Sequence, residues 1–216
     1  MINDENDFFV IEYQPNDSGM PHFMDKEWKP ELPDYDFFKA PPSSGDFADH
    51  YLAKVKAYNL DGDYFPDDDL ISSEMLMLVS KLDVKFISVP VKVSLYRDKT
   101  PSNKYFLFYL SSYLSIMDEE NSVFKISKNI KTGKLNTPDE RGLDKTHYEK
   151  IDKFKIRSDI KEHLFFCKEI SKPVCSLLFK SEFESLKLRG IKFEKIDDNY
   201  KYDPWGDWDD WDDWDD

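Results

Sequence analysis

The stretch His163–Ile196, HLFFCKEISKPVCSLLFKSEFESLKLRGIKFEKI, carries the strongest fold signal in this chain of 216 residues. Its two aromatic and β-branched runs, HLFFCKEI and PVCSLLF, have the length and composition of strands and are divided by a polar SKP turn. Ser181 and Glu184 are spaced as a capping box, which predicts a helix that begins there and ends at Gly190, because glycine readily adopts the left-handed conformation. The residues from Ile191 onward predict a closing strand.

Two further elements precede this stretch. SSEMLMLVSKL places apolar residues three and four positions apart behind a serine cap, which predicts a helix that begins after Ser72 or Ser73 and ends near Asp83. The runs KFISVPVKVSLY and KYFLFYLSSYLSI, joined by a loop of turn residues, predict a hairpin. Pro90 cannot donate to a strand ladder, so its strand is predicted at a sheet edge or with a bulge. We therefore expect a single α+β domain, an antiparallel or mixed sheet with two or three packing helices.

The N-terminal part is rich in proline and predicts little regular structure. FFVIEY, residues 8–13, predicts an edge strand, and residues 14–45 predict an extended segment anchored to the body by the aromatic side chains Phe23, Trp28, Tyr35, Phe37 and Phe38. LDGDYFPDDDL, residues 60–70, predicts an acidic surface loop. It is not an EF-hand calcium loop, because Pro66 stands where glycine is needed and no glutamate closes it.

Charge divides the chain into three parts. The net charge is −14 overall, with −12 in residues 1–69, +7 in residues 70–196 and −9 in residues 197–216. We expect a proline-rich, acidic wrapping segment over residues 1–70, a core over 71–196 and a tail over 197–216. An acidic protein repels nucleic acid and anionic membranes at long range and attracts basic partners.

The tail is a low-complexity repeat, PWGDWDDWDDWDD, with tryptophan at every third position and aspartate between. In a polyproline-like conformation three residues complete one turn, so the indoles would lie on one side and form an aromatic, acidic docking ribbon. The alternative is a disordered acidic tail with no defined partner. Together with the acidic segment, the tail contributes the candidate partner-binding residues, namely Asp67, Asp68, Asp69, Trp205, Asp207, Trp208, Asp209, Asp210, Trp211, Asp212, Asp213 and Trp214.

Signals for chemistry and for export are missing from the sequence. The chain has neither a phosphate-binding glycine loop nor a nucleophile or metalloprotease motif, and His147, His163, Cys167 and Cys175 match no common zinc spacing. No catalytic, cofactor or metal residue is therefore predicted. The two cysteines are expected to be buried free thiols. The acidic N-terminus lacks a signal-peptide pattern and no apolar run reaches the ~20 residues that span a bilayer, which predicts a cytoplasmic, soluble protein.

The order of these segments resembles a family of bacterial immunity proteins from polymorphic toxin systems, first catalogued as a domain of unknown function. The resemblance covers about residues 72–196. It is carried by the serine-capped helix SSEMLMLVSKL, the strands KFISVPVKV and KYFLFYL, the step from Asp118 to Ser122 followed by Val-Phe, and the closing stretch HLFFCKEISKPVCSLLFKSEFESLKLRGIKFEKI.

This resemblance implies a cytoplasmic, stoichiometric inhibitor and not an enzyme. Its partner would be the toxin domain encoded beside it, and the acidic balance favours a basic one. Oligomeric state is left open. Two alternatives stand beside this hypothesis. One is a protein-binding adaptor or secretion chaperone that uses the tail as a docking peptide. The other is a small enzyme whose site is assembled from dispersed carboxylates.

Overall fold

A computed structural model describes residues 7–16, 19–34, 40–204 and 206. The described residues form thirteen strands and three helices, in the order β1 (Phe8–Tyr13), β2 (Lys26–Lys29), β3 (Tyr51–Val55), β4 (Tyr64–Phe65), β5 (Leu70–Ser72), α1 (Ser73–Lys81), β6 (Phe86–Ser94), β7 (Tyr105–Leu110), β8 (Tyr113–Leu114), β9 (Val123–Ile126), α2 (Pro138–Arg141), β10 (Tyr148–Lys153), β11 (Leu164–Cys167), β12 (Lys172–Ser176), α3 (Leu177–Ser185) and β13 (Ile191–Lys195).

The strands form two large mixed sheets and a small ribbon. The five-stranded sheet has the order β13-β1-β12-β11-β8, and only its β11–β8 pair is parallel. The six-stranded sheet has the order β2-β3-β6-β7-β5-β4, with a parallel β3–β6 pair. Strands β9 and β10 form the antiparallel ribbon. The predicted α+β class with mixed sheets is confirmed.

Both faces of the five-stranded sheet are buried. In β1, Phe9 and Ile11 point into a central core shared with α1, α3 and the six-stranded sheet. Phe8 and Val10 point the other way, into a second core shared with the β9–β10 ribbon. A third core covers the far face of the six-stranded sheet. Successive side chains of a strand face opposite sides, so a run as continuously apolar as FFVI suits a strand with a core on each face.

Helix α1 forms as predicted. Ser72 is its N-cap, and the Ser72 hydroxyl accepts a hydrogen bond of 3.1 Å from the Met75 amide. Met75, Leu78 and Val79 are buried in the central core. Asp83, just beyond the C-cap, has a left-handed φ of 52°. The expected helix limits are confirmed.

Helix α3 begins earlier than predicted. Ser176, not Ser181, is its N-cap and accepts a hydrogen bond from the Phe179 amide at 3.3 Å. Either serine could cap a helix, but the earlier start places Phe179 and Phe183 four residues apart on one buried face. The helix also ends before Gly190, since Lys187 is the residue that takes a left-handed φ, of 56°.

Two predictions of edge strands are wrong. Strand β1 lies inside its sheet, paired with β12 on one side and β13 on the other. The hairpin β6–β7 is confirmed, but β6 lies between β3 and β7 and its register with β7 is continuous. The sheet tolerates Pro90 because pairing with β3 begins only at Val91, so Pro90 lies outside that ladder.

The anchors of the N-terminal segment differ from the prediction. Phe23 is 82% exposed, whereas Met20 and Met24 are buried against the six-stranded sheet. Trp28 does pack on the body, in edge contact with Tyr51 at 6.1 Å between ring centroids. The other proposed anchors, Tyr35, Phe37 and Phe38, lie outside the described residues.

Both cysteines, Cys167 and Cys175, are buried free thiols, as predicted. Burial raises the pKa of both thiols well above the usual value, so they remain protonated and unreactive at neutral pH. No helix in the described ranges has the length and apolar character needed to cross a membrane.

Candidate functional site

A cleft of about 680 Å³ opens where the two large sheets meet. Strands β1, β11, β12 and β13 contribute one wall, and β4, β7 and the turn after β4 contribute the other. The floor is apolar and aromatic, and the rim carries charges of both signs. The apolar and aromatic lining residues include Ile11, Tyr13, Tyr64, Phe108, Leu110, Tyr113 and Phe166. The charged lining residues are Glu12, Asp67, Asp69, Lys172 and Lys192.

The acidic segment 60–70 is part of this wall and not the surface loop that its charge predicted. Gly62, Asp63, Tyr64 and Phe65 are buried. Tyr64 joins the central core and Phe65 the core on the opposite face of the sheet. The Tyr-Phe pair can bury both rings in this way because neighbouring residues of a strand face opposite sides, and this fixes the acidic residues at the cleft.

The structure separates the three predicted aspartates into different environments. Asp67 is exposed at the rim, in a 3-10 turn over Pro66–Asp68. Asp68 forms an ion pair with Lys26 of β2, and both side chains are mostly buried. Asp69, with a left-handed φ of 54°, directs its carboxyl into the cleft wall. The aspartates therefore differ in what they offer to a partner.

Asp69 is the most perturbed of these groups. Burial raises the pKa of its carboxyl to about 7, against the opposing effects of Lys26 and of a hydrogen bond donated by the Tyr109 hydroxyl. The negative charges of Asp68 and Asp67 raise it further. Burial likewise raises the pKa of Asp67. Both carboxyls on this wall therefore keep their protons to a higher pH than exposed carboxyls do, chiefly because of burial.

We expect the Asp69→Asn variant to gain stability relative to the wild type as pH rises. The unfolded carboxyl titrates near 3.8, so between that pH and about 7 only the unfolded state has lost the proton, and wild-type stability falls with rising pH. The full shift corresponds to ~4 kcal/mol, which partial solvent exposure reduces to about 2 kcal/mol. Asparagine keeps the acceptor for Tyr109 and tolerates positive φ.

Urea unfolding at pH 4.5 and pH 8 measures this effect. The difference in unfolding free energy between the variant and the wild type should grow by about 2 kcal/mol across the range. Glu120→Gln, at an exposed loop position, removes the same charge and should show no such trend. A difference that is the same at both pH values would refute the account of Asp69.

The basic side of the cleft was not predicted. Glu12, the one charged residue of β1, accepts hydrogen bonds of 2.8 Å from Lys172 of β12 and from Lys192 of β13. Lys172 lowers the pKa of Glu12 most, followed by Lys192. Opposite charges on adjacent strands stabilise a sheet in this way. The sequence signal for this ion-pair cluster was the glutamate within FFVIEY. Its lysine partners could be identified only once the strand order was known.

A backbone junction closes the end of the cleft and joins the two sheets. The Arg189 carbonyl accepts hydrogen bonds from the Asp63 and Tyr64 amides, at 2.7 and 3.2 Å. In return the Asp63 carboxylate accepts from the Arg189 amide at 2.8 Å and from the Ser72 hydroxyl at 2.7 Å. Asp63 therefore links the approach to β13 with the N-cap of α1.

The predicted tail residues Trp205, Asp207, Trp208, Asp209, Asp210, Trp211, Asp212, Asp213 and Trp214 lie outside the described residues. The chain leading to them is packed. Tyr200 is buried with its ring 6.2 Å from that of Phe154. Tyr202 exchanges backbone hydrogen bonds with Ile151 of β10, at 2.7 and 3.0 Å. The repeat thus follows directly on a segment that is held to the body.

In the part of the chain that the structure describes, no three His, Cys, Asp or Glu side chains are grouped so as to hold a metal ion. No match to a curated protein was found. A model of an immunity protein family, Imm11, matches residues 14–198, most of the chain and a longer part than the sequence resemblance covered. This chain therefore belongs to the Imm11 immunity protein family.

Proposed function

We propose that this protein binds and neutralises a cognate bacterial toxin domain by stoichiometric inhibition, without catalysis. The observation that carries the proposal is the match of the Imm11 family model over residues 14–198. The expected partner is the toxin domain encoded beside this gene, and the cell interior is the compartment in which that toxin would act.

The charge distribution supports a basic partner. The chain carries a net charge of −14, concentrated at its two ends. A basic toxin domain would be steered to such a protein, since complementary charge raises the association rate more than the final affinity. In this proposal Asp67, Asp68 and Asp69 lie in the interface, and the tail from Trp205 to Trp214 forms a second contact.

Co-expression tests the proposal directly. Cells that produce the adjacent toxin domain should survive only when this protein is co-produced, and the two proteins should co-purify in equal amounts with nanomolar affinity by calorimetry. Survival without a stable complex would point to an indirect role. Absence of both protection and binding would reject the proposal.

We expect removal of the repeat to weaken toxin binding about tenfold at low salt and less at physiological salt, because screening reduces the contribution of exposed charges. The variant should end at Gly206, which keeps Tyr200 and Tyr202, the residues that pack on the body. Calorimetry at two salt concentrations measures the effect.

Two full-length controls separate charge from aromatic contact in the tail. Replacing the aspartates of residues 207–216 by asparagine removes the charge and keeps the indoles, and replacing Trp208, Trp211 and Trp214 by alanine does the reverse. The first should abolish the part of the salt dependence that the tail contributes, and the second should lower affinity at every salt concentration. Equal affinity of all forms would leave the tail outside the interface.

A further inference from the structure

The charges of the cleft do not balance. Its surroundings hold four carboxylates, Glu12 and Asp67 to Asp69, and three lysines. Lys26 is committed to Asp68, and Lys172 and Lys192 are both committed to Glu12. Among the described residues, no lysine or arginine forms an ion pair with Asp67 or Asp69. Asp67 and Asp69 therefore face the cleft without an ion-pair partner in the described part of the chain, although Lys26 lowers the pKa of both carboxyls and Lys172 lowers that of Asp67.

The walls beside these carboxylates are aromatic and apolar. Tyr64 and Phe108, 5.7 Å apart between ring centroids, line one wall, and Tyr13 lies on the opposite wall. The Tyr109 hydroxyl donates to Asp69, while its ring is stacked on Phe47 in the core on the far face of the six-stranded sheet. The negative charge of the carboxylates alone would attract any cation. Aromatic faces favour a cation that is planar and weakly hydrated. The volume of about 680 Å³ exceeds that of one side chain and admits the neighbouring residues of a loop as well.

We propose that this cleft receives an arginine carried on a protruding loop of the toxin domain, with its guanidinium beside Asp67 and Asp69 and its stem against the aromatic lining of Tyr13, Tyr64 and Phe108. The inference rests on the proposed function and names the chemistry of the partner at that same site. Arginine supplies two adjacent donor edges, which suits two neighbouring carboxylates, and it is enriched where interfaces hold most of their binding energy.

Binding of this arginine couples to protonation of Asp69. The groups that face the Asp69 carboxyl are Tyr109 from β7, Lys26 from β2 and the neighbouring Asp67 and Asp68. The guanidinium pairs only with the ionised carboxyl, whose pKa in the free protein is raised to about 7. Toxin affinity should therefore fall as pH drops from 8 to 6, by up to about tenfold.

The decisive variant is the double replacement Asp67→Asn and Asp69→Asn in the full-length chain. Both changes keep the shape of the side chain, and asparagine tolerates the left-handed backbone at position 69, so the fold is retained and thermal unfolding verifies it. In calorimetry with the toxin domain at pH 8, the double variant should bind at least about thirtyfold more weakly than wild type and should lose the pH dependence.

Glu120→Gln is the matched control, since it removes one exposed charge away from the cleft and should bind within about threefold of wild type. Equal affinity of the double variant and the control overturns the cleft proposal while leaving toxin binding intact. Failure of the wild type to bind the toxin overturns the proposed function instead.

A small probe tests the cleft independently of the toxin. Nα-acetylarginine methylamide, titrated into the ¹⁵N-labelled full-length protein, should shift the amide resonances of Asp69 and Tyr109 in the wild type and not in the double variant. The citrulline analogue, which has the same shape without the charge, should shift neither. Equal shifts with both probes, or shifts away from the cleft, would overturn the assignment of arginine.

Discussion

Replacement of Gly190 by alanine is expected to destabilise the protein by about 3–5 kcal/mol, the largest effect of any single methyl group that we predict. Gly190 has a φ of +117°, which residues with a side chain rarely adopt. A Cβ at this position would overlap the carbonyl oxygen of Tyr64 and lie 3.2 Å from its carbonyl carbon. Backbone strain and steric overlap therefore add.

The surrounding backbone has little freedom to relieve this overlap. The Asp63 and Tyr64 amides both donate to the Arg189 carbonyl, and the Gln14 amide donates to the Gly190 carbonyl at 2.9 Å. Moving either strand away would break hydrogen bonds that join the two sheets, and each buried group left without a partner costs about 1–3 kcal/mol. Neither the Tyr64 backbone nor the Gly190 backbone can therefore move aside to make room for the added methyl group.

Urea unfolding of Gly190→Ala and Gly133→Ala isolates the steric part. Gly133 also has a positive φ, of +69°, but a Cβ there would meet nothing within 4 Å. Its replacement should cost only about 1 kcal/mol, from backbone strain alone. Similar losses for the two variants would show that contact with Tyr64 contributes nothing.

Replacement of Asp63 by alanine is expected to cost about 2–4 kcal/mol. The carboxylate is 6% exposed and accepts from both the Ser72 hydroxyl and the Arg189 amide. Its removal leaves the buried Ser72 hydroxyl and the partly buried Arg189 amide without this acceptor. It also loosens the cap of α1, because the Ser72 hydroxyl is itself the cap. The pKa of Asp63 is raised by burial, so its own desolvation offsets part of this loss.

Asp61→Ala provides a matched control two residues away. Asp61 pairs with the Arg189 guanidinium at 2.7 Å, but both side chains are partly exposed, and exposed ion pairs contribute about 0–1 kcal/mol. Thermal unfolding should therefore rank Asp63→Ala well below Asp61→Ala. The reverse order would mean that the Arg189 side chain, and not its backbone, holds the two sheets together.

Gly190 and Asp63 also hold the two walls of the cleft in position. Gly190 and Asp63 lie where the six-stranded sheet meets β13, and the cleft walls belong to opposite sides of that junction. Variants there should lose toxin binding together with stability, whereas the Asp67 and Asp69 variants should lose binding alone. This contrast separates a residue that shapes the site from one that contacts the partner.

The correct predictions came from segments whose signals are local. The serine cap and apolar spacing of residues 72–82 were enough to place α1, and alternation with turn residues was enough to pair β6 with β7. The prediction of a surface loop over residues 60–70 was wrong because the negative charge of the segment was taken to mean that it is exposed. Its aromatic residues 64 and 65 outweigh the acids, and burying both rings draws the aspartates inward.

The sequence by itself determined the α+β class, helix α1, the β6–β7 hairpin, the acidic ends and the family resemblance, because capping, periodicity and charge act over a few neighbouring residues. Only the tertiary structure decided that β1 is central, that Ser176 caps α3, and that Glu12, Asp69, Tyr109 and Lys172 meet at one cleft. These outcomes depend on packing between residues far apart in the chain, and the free energy of such contacts leaves no pattern in any one segment.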